Sequence, residues 1–277
     1  MTAAAAATPG CLDDAARARL SAFIAGVERA APGRLEGLYL YGSAALCDYR
    51  PGQSDLDFAA VSTAAWPPES LSRLGRLHAR LARAPGQPAV DGLYLTWAEL
   101  GGDPTRAVAP GALGGAVQRR GAFDANWAVW ETLHRYPLAL RGPTQPAVRT
   151  DAGGLKAFCL GNLASYWQPL AQRVAAEGAL DPDRAAAALL WCVPGVLRLA
   201  YTVATGDVTS KSGAVRWALA RTPTRWAPIL RRALALRQGR ADPDPNGACD
   251  TGPERVAAYM IEVIEGARGG ADVVARA

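Results

Sequence analysis

Gly37-Leu-Tyr-Leu-Tyr-Gly-Ser43, followed by Ser54-Asp-Leu-Asp-Phe-Ala-Ala-Val61, is the stretch on which the reading of this chain turns. The first segment is a short apolar strand that runs straight into Gly42-Ser43, where the chain turns into a helix. The second alternates and reads as another strand. Side chains two apart on a strand share a face, so Asp55 and Asp57 point the same way, with Cα atoms roughly 6.5–7 Å apart. Carboxylates converging there can share Mg²⁺ ions, and two metals about 3.5–4 Å apart can clamp both oxygens of an in-line displacement at phosphorus. Gly42 lets the backbone approach closely, while the Ser43 hydroxyl and helix N-terminal N–H groups can hold phosphate oxygens. An Asp-x-Asp alone often caps a turn. Preceded by Gly-Ser at the end of an apolar strand, it describes nucleotide chemistry.

Working outward, Asp13 and Asp14 read as a cap before a helix carrying Leu20, Phe23, Ile24 and Val27, which runs up to Pro32. A helix with Leu71, Leu74, Leu77 and Leu81 on one face precedes a third strand, Val90–Thr96. Trp97 to Gly121 is rich in Gly and Pro without a period and is expected to be a surface connection. A helix over Asn126–Tyr136 leads to a short strand, Leu138–Leu140, and then to Gly142-Pro143 and Pro146, which mark a boundary. Beyond Thr150 only helical periodicity remains: Leu155–Ala176, Asp183–Thr205, Ser210–Arg221, Thr224–Gln238 and Pro253–Ala267, with Pro194 expected to kink the second. The chain therefore reads as α+β. Residues 1–148 form a small mixed sheet with flanking helices, residues 149–277 an all-helical bundle, and a cleft is expected between them.

Composition narrows the function. Half of the 277 residues are hydrophobic and 20% are charged, as in a soluble globular protein. The opening Met-Thr-Ala-Ala has no basic region and meets Asp13 and Asp14 early, so no signal peptide is read and the cytoplasm is expected. The most apolar run, Ala185–Leu197, ends at Arg198 and reads as a buried helix, with no membrane role. Cys11, Cys47, Cys159, Cys192 and Cys249 are scattered and form no CxxC pair, against a disulfide framework or a zinc site. With only His78 and His134, any metal should be a hard ion held by carboxylates. The net charge of +5 is spread over helical Arg (Arg73, Arg76, Arg80, Arg83, Arg225, Arg231, Arg232) rather than set in a stripe with aromatics, which reads as solvated helix faces and not as a nucleic-acid surface.

Gly42-Ser43 with Ser54-Asp55-Leu56-Asp57 resembles the signature of DNA polymerase beta-type nucleotidyltransferases. Arg198-Leu-Ala-Tyr-Thr-Val-Ala-Thr-Gly206, Ser210-Lys211 and Ala214-Val-Arg-Trp-Ala-Leu-Ala-Arg-Thr-Pro223 are similar to the helical domain of streptomycin/spectinomycin (3″)(9) adenylyltransferases. The resemblance spans the chain from about residue 15. It implies that residues 1–148 are the nucleotidyltransferase domain and that two Mg²⁺ ions sit on Asp55 and Asp57. It also implies a third carboxylate on a neighbouring strand, here Asp91, beside the metals and acting as general base. ATP is the implied co-substrate, bound by Gly42, Ser43, Ser54, Arg198 and Lys211, and AMP passes to a hydroxyl with release of pyrophosphate. Asp91 stands where the best-known members have Glu and reaches about one carbon less; before Gly92 it could also be a turn residue. Ser210 reads as an N-cap, so Lys211 in the first turn opposes the helix dipole unless an anion binds there. Arg198 interrupts an apolar face and needs a phosphate or a carboxylate.

The acceptor side departs from the family. Polycationic aminoglycosides need carboxylates and aromatic walls. Here the first helical hairpin of the bundle reads Tyr166-Trp-Gln-Pro-Leu170, Glu177 and Asp181, then Arg184 and alanines, and the family's adenine-side tyrosine near residue 236 has no counterpart. Trp127, Trp130, Glu131, Trp167 and Trp191 could line a pocket, although aromatics at helical spacing usually form core. The expected enzyme is a monomeric adenylyltransferase acting on an aminoglycoside or aminocyclitol antibiotic, conferring resistance. The alternatives are the same transfer to another natural product or metabolite, and a relative that binds nucleotide without turnover.

Overall fold

The computed structural model describes residues 10–120, 124–176, 182–243 and 252–269. It separates into two compact units, Met1–Asp151 and Ala152–Ala277.

In the first unit α1 (Asp14–Ala30) starts where the Asp13 carboxylate accepts the Ala16 N–H at 2.8 Å. β1 (Gly37–Leu40) leads into the single turn α2 (Gly42–Ala45), then β2 (Leu56–Ser62), α3 (Pro68–Ala82), β3 (Val90–Thr96) and α4 (Trp97–Leu100). β4 (Gly111–Leu113), β5 (Ala116–Gln118), α5 (Trp127–Arg135) and β6 (Leu138–Arg141) complete it. The strands form one sheet in the order β5-β4-β3-β2-β1-β6. β2 and β3 run parallel and every other neighbouring pair is antiparallel.

Strand alternation divides the apolar residues between two faces. Leu38, Leu40, Phe58, Ala60 and Tyr94 pack with Phe23, Leu74 and Leu77 of α1 and α3. Tyr39, Ala59, Val61, Leu93 and Leu95 pack with Trp130 and Leu133 of α5. Asp57 and Asp91 share the parity of Ala59 and Leu93, which places them at the rim of the α5 face.

Two expectations change here. The segment expected to be a surface connection without regular elements of its own contains α4 and the β4–β5 hairpin, whose two-residue turn is Gly114-Gly115, both at positive φ. The strand carrying the paired carboxylates starts at Leu56, not Ser54. The amides of Gln53 and Ser54 bond back to Arg50 O, and pairing toward β3 begins with Leu56 N to Ala89 O. Asp55 therefore stands just before the strand and is exposed.

The second unit is helical throughout its described residues. α6 (Ala152–Asn162) passes through a π turn, Leu163–Trp167, into α7 (Gln168–Ala176). α8 (Pro182–Thr205), α9 (Lys211–Leu219), α10 (Ala227–Arg237) and α11 (Pro253–Arg268) follow. α8 contains Pro194, packs against α6, α9, α10 and α11, and matches the helix expected over Asp183–Thr205. Its stretch Asp183–Thr205 is long and apolar enough to cross a membrane by composition; with Val193, Val196 and Leu197 in the unit's core, it reads here as the central helix of the bundle. Arg232, expected on a solvated face, is buried and grips the Asp242 carboxylate through Nε and Nη2 at 3.0 and 2.8 Å. A buried guanidinium persists only when so paired.

Candidate active site

The site residues of the first unit gather at one edge of the sheet because of strand polarity. The N-terminal ends of β2 and β3 lie there, so Asp57 and Asp91 are direct register partners on adjacent parallel strands. β1 runs antiparallel to β2, with Leu40 opposite Phe58, and so delivers Tyr41, Gly42 and Ser43 to the same edge. The β4–β5 turn ends there too, and Gly114 N donates to Asp91 Oδ1 at 3.0 Å. Backbone pairing brings together residues far apart in sequence, and the Gly114 amide adds a tie to the Asp91 side chain.

Close packing fixes two glycines. Gly42 has φ +60°, and a Cβ there would fall 2.1 Å from Asp57 Oδ2, so the Gly-Ser turn lies directly against this carboxylate. Gly92, after Asp91, has φ +151°, and a Cβ would meet Phe58 O at 2.0 Å, so only glycine lets β2 and β3 close up beside the two aspartates. Asp91 is thus a strand residue, 7% exposed, and not part of a turn. Burial pushes its carboxyl above the usual range, the Gly114 amide opposes this, and the charges of Asp55 and Asp124 raise it further.

Asp124 is a carboxylate the sequence did not single out. Tyr41 Oη donates to Asp124 Oδ2 at 2.8 Å. Burial first, and then the charges of Asp124 and Asp57, push the Tyr41 hydroxyl far above its ordinary range, so it stays a donor. A signal was present: both Asp124 and Asn126 precede α5 as capping types, yet Asn126 alone caps it, accepting from Ala128 N and Val129 N at 3.1 Å. One of the two was available for another task.

Among the described residues no group of three or more His, Cys, Asp or Glu is close enough to hold a metal together. The donor set nevertheless fits a hard cation with a phosphate. Asp57 and Asp91 face the same side, Asp55 and Asp124 act electrostatically on Asp91, and such crowding of like charge is what a divalent ion relieves. The Ser43 hydroxyl is buried without a hydrogen-bond partner beside Gly42, an orphan that a phosphate oxygen would satisfy. Ser54 is otherwise engaged: its Oγ accepts from Arg50 N at 3.0 Å and braces the loop before β2. It also lines, with Asp55, Gln53 and Gln87, an open depression of ≈ 200 Å³ that neither Asp57 nor Asp91 touches.

In the second unit Ser210 caps α9, accepting Gly213 N at 3.0 Å, and Lys211 follows in the first turn. Lys211 Nζ lies 5.1 Å from the centre of the Trp191 ring, a cation–π contact. Trp191 is 49% exposed and donates through Nε1 to Tyr166 Oη at 3.2 Å; Tyr166 is 41% exposed. Trp167 lies behind them, 5% exposed, edge-on to Tyr166 and tilted against Trp191 with ring centres 5.9 Å apart. Tyr166 and Trp191 are thus surface aromatics, whereas Trp127, Trp130, Glu131 and Trp167 are buried. Arg198 is half-buried, and its charge acts on the buried Cys159 thiol, which burial pushes up to about 12. Glu177 and Asp181, the remaining acidic residues expected near an acceptor, lie outside the described residues, as does Cys249.

Comparison with known proteins follows the same division. Residues 165–262 match the family described as aminoglycoside adenylyltransferase, C-terminal domain. Among curated proteins none matches the chain in sequence. Among solved structures the chain is similar to a spectinomycin adenyltransferase, AAD(9) from Enterococcus faecialis, crystallised with ATP and spectinomycin. Identity is 13%, the TM-score is 0.65, and the match covers 90% of this chain and 99% of that one, so the α+β fold is shared almost throughout. The resemblance read from the helical half of the sequence is borne out by this match, and the shared α+β fold agrees with the reading of the whole chain.

Proposed function

We propose that this chain is a Mg²⁺-dependent adenylyltransferase that moves AMP from ATP onto a hydroxyl of an aminoglycoside or aminocyclitol antibiotic, releasing pyrophosphate. The observation that carries this reading is the edge of the sheet, where Asp57 and Asp91 stand in register with the Gly42-Ser43 turn against Asp57. Asp55, Asp57 and Asp91 would hold Mg²⁺. Bound there, the metal supplies charge neutralisation to the triphosphate and polarises its phosphoryl oxygens.

The chain's own residues do the rest. The Ser43 hydroxyl donates to a phosphate oxygen, and Lys211 and Arg198 offset triphosphate charge. Asp91 takes the proton of the acceptor hydroxyl, a role for which a carboxyl raised by burial is suited, since a base works best with its pKa near the operating pH. The acceptor oxygen then attacks the α-phosphorus. Asp124, held by Tyr41, adds negative charge on the side from which a cationic acceptor would approach. Its spectinomycin-bound structural neighbour and its helical-domain family support this acceptor class. The reading takes the enzyme to be monomeric, cytoplasmic and able to confer resistance.

The test is pyrophosphate release from ATP and Mg²⁺ with a panel of hydroxyl compounds that includes spectinomycin, streptomycin and uncharged polyols. An adenylylated aminocyclitol in the product mass spectrum is expected. ATP binding without release for any acceptor would instead establish a non-catalytic nucleotide binder.

A further inference from the structure

Two cysteines that the sequence keeps apart meet in the fold. Cys11 precedes α1 and Cys47 follows α2, yet Cys11 Sγ donates to Ala44 O at 3.6 Å and Cys47 N donates to the same oxygen at 3.4 Å. Burial first, and then the neighbouring Cys47 thiol, push the Cys11 thiol above its ordinary range. Cys47 is exposed and Cys11 partly so, whereas Cys159 and Cys192 are buried in the helical unit. Cys47 is also the one described residue other than glycine with a positive φ, 50°. An L side chain enters that region only when its surroundings dictate it. Here Leu46 N to Gly42 O and Asp48 N to Ser43 O, at 3.2 and 2.9 Å, pin the chain on either side. The turn that carries Ser43 thus ends on a strained, accessible cysteine with a second thiol against it.

We propose that Cys11 and Cys47 form a reversible redox modification site, in which a low-molecular-weight disulfide oxidises them to an intramolecular bond that clamps the segment before α1 onto the Ser43 turn. The exposed Cys47 thiolate attacks one sulfur of the small disulfide, expels a small thiolate and becomes a mixed disulfide. Cys11 gives up its proton to water and attacks the Cys47 sulfur, expelling the second small thiolate. The chain loses two electrons and two protons, and the small disulfide gains both and leaves as two thiols. The new bond removes the Sγ–H that served Ala44 O and ties the two segments covalently. Pairs of this kind suit a transient, sensing role more than a structural one.

The test treats the full chain with oxidised glutathione, blocks the remaining thiols, and maps the peptides by mass spectrometry with and without dithiothreitol. A Cys11–Cys47 cross-linked peptide, two hydrogens lighter than its reduced parts and restored by the reductant, is expected. In Cys11→Ser the reaction should stop at a glutathione adduct on Cys47. Hydrogen exchange of the Leu46 and Cys47 amides should slow in the oxidised chain. A glutathione adduct that persists on Cys47 of the unaltered chain would overturn the site, as would a bond from Cys47 to Cys249 or to a second copy. Unchanged exchange at those amides in a chain with the mapped bond would overturn the clamp.

Discussion

The carboxylate edge of the sheet and the Tyr166–Trp191–Lys211 surface of the helical unit are built on opposite principles. At the sheet edge, residues 41 to 43, 57, 91 and 114 come from separate segments whose spacing backbone register sets, and Asp124 joins them through the Tyr41 hydroxyl. On the helical surface, three side chains from three helical segments meet through their own contacts, a cation over a ring and an indole N–H on a phenol. Register leaves little freedom: Gly42 and Gly92 are each locked by an approach that a single Cβ would block. Contacts between half-exposed side chains are softer and cheaper to rearrange. An edge set by register holds a fixed geometry, whereas a surface set by side-chain contacts tolerates variety.

The sharpest way to break this contrast is to remove charge at the edge without changing shape. Asp57→Asn should lower turnover by on the order of a thousandfold or more, with circular dichroism unchanged. Asp55→Asn should do the same if it shares the ion, and near-normal activity there would restrict the site to Asp57 and Asp91. Asp91→Asn should cut kcat by roughly a hundred- to ten-thousandfold while the KM for ATP moves little, since Asp55 and Asp57 would still hold the ions. Asp91→Glu should keep much of the activity. A fully active Asp91→Asn enzyme would falsify the base assignment, since Asn could still accept the Gly114 amide.

A third prediction separates the units by pH. His78 is 1% exposed, stacks on Phe58 and shares a 2.7 Å hydrogen bond with Tyr94 Oη. Burial holds its pKa at about 4, against the usual 6.5. The folded unit keeps the ring neutral while the unfolded chain protonates it sooner. Its contribution is therefore complete above pH 6.5 and is lost as the pH falls toward 4, by about 3 kcal/mol in full. The helical unit contains no histidine, because the only two in the chain are His78 and His134. Hydrogen exchange at pH 5 should accordingly speed up in α1, α3 and β3 before it does in α8 and α11. Equal acceleration in both units would mean that His78 is not the controlling group.

The smallest effect is expected on the helical surface. Lys211→Ala should raise the KM for ATP about tenfold, or ~1.4 kcal/mol of binding, with kcat little changed. If Lys211 serves only to cover Trp191, then Lys211→Met should restore thermal stability and the KM for ATP should stay at its original value in both variants.

What the sequence determined by itself is the set of elements whose pattern repeats locally. Leu71, Leu74, Leu77 and Leu81 do line the buried face of α3, and Asp13 does cap α1. The turn at Gly42-Ser43 after an apolar strand was legible too, because turn requirements act over a few residues, whereas the pairing expected for Asp55 with Asp57 on one strand was not kept. Gly114-Gly115 was a hairpin signal that went unread, because the short strands around it are poor in β-branched residues. Only the tertiary structure decided which distant groups face one another. Asp124 joins Tyr41 across the sheet edge, Cys11 meets Cys47 on one carbonyl, and Arg232 closes on Asp242. None of these pairings has a period or a spacing in the chain. They follow from strand order and helix packing, which are fixed by burying the whole apolar surface at once rather than by any one segment.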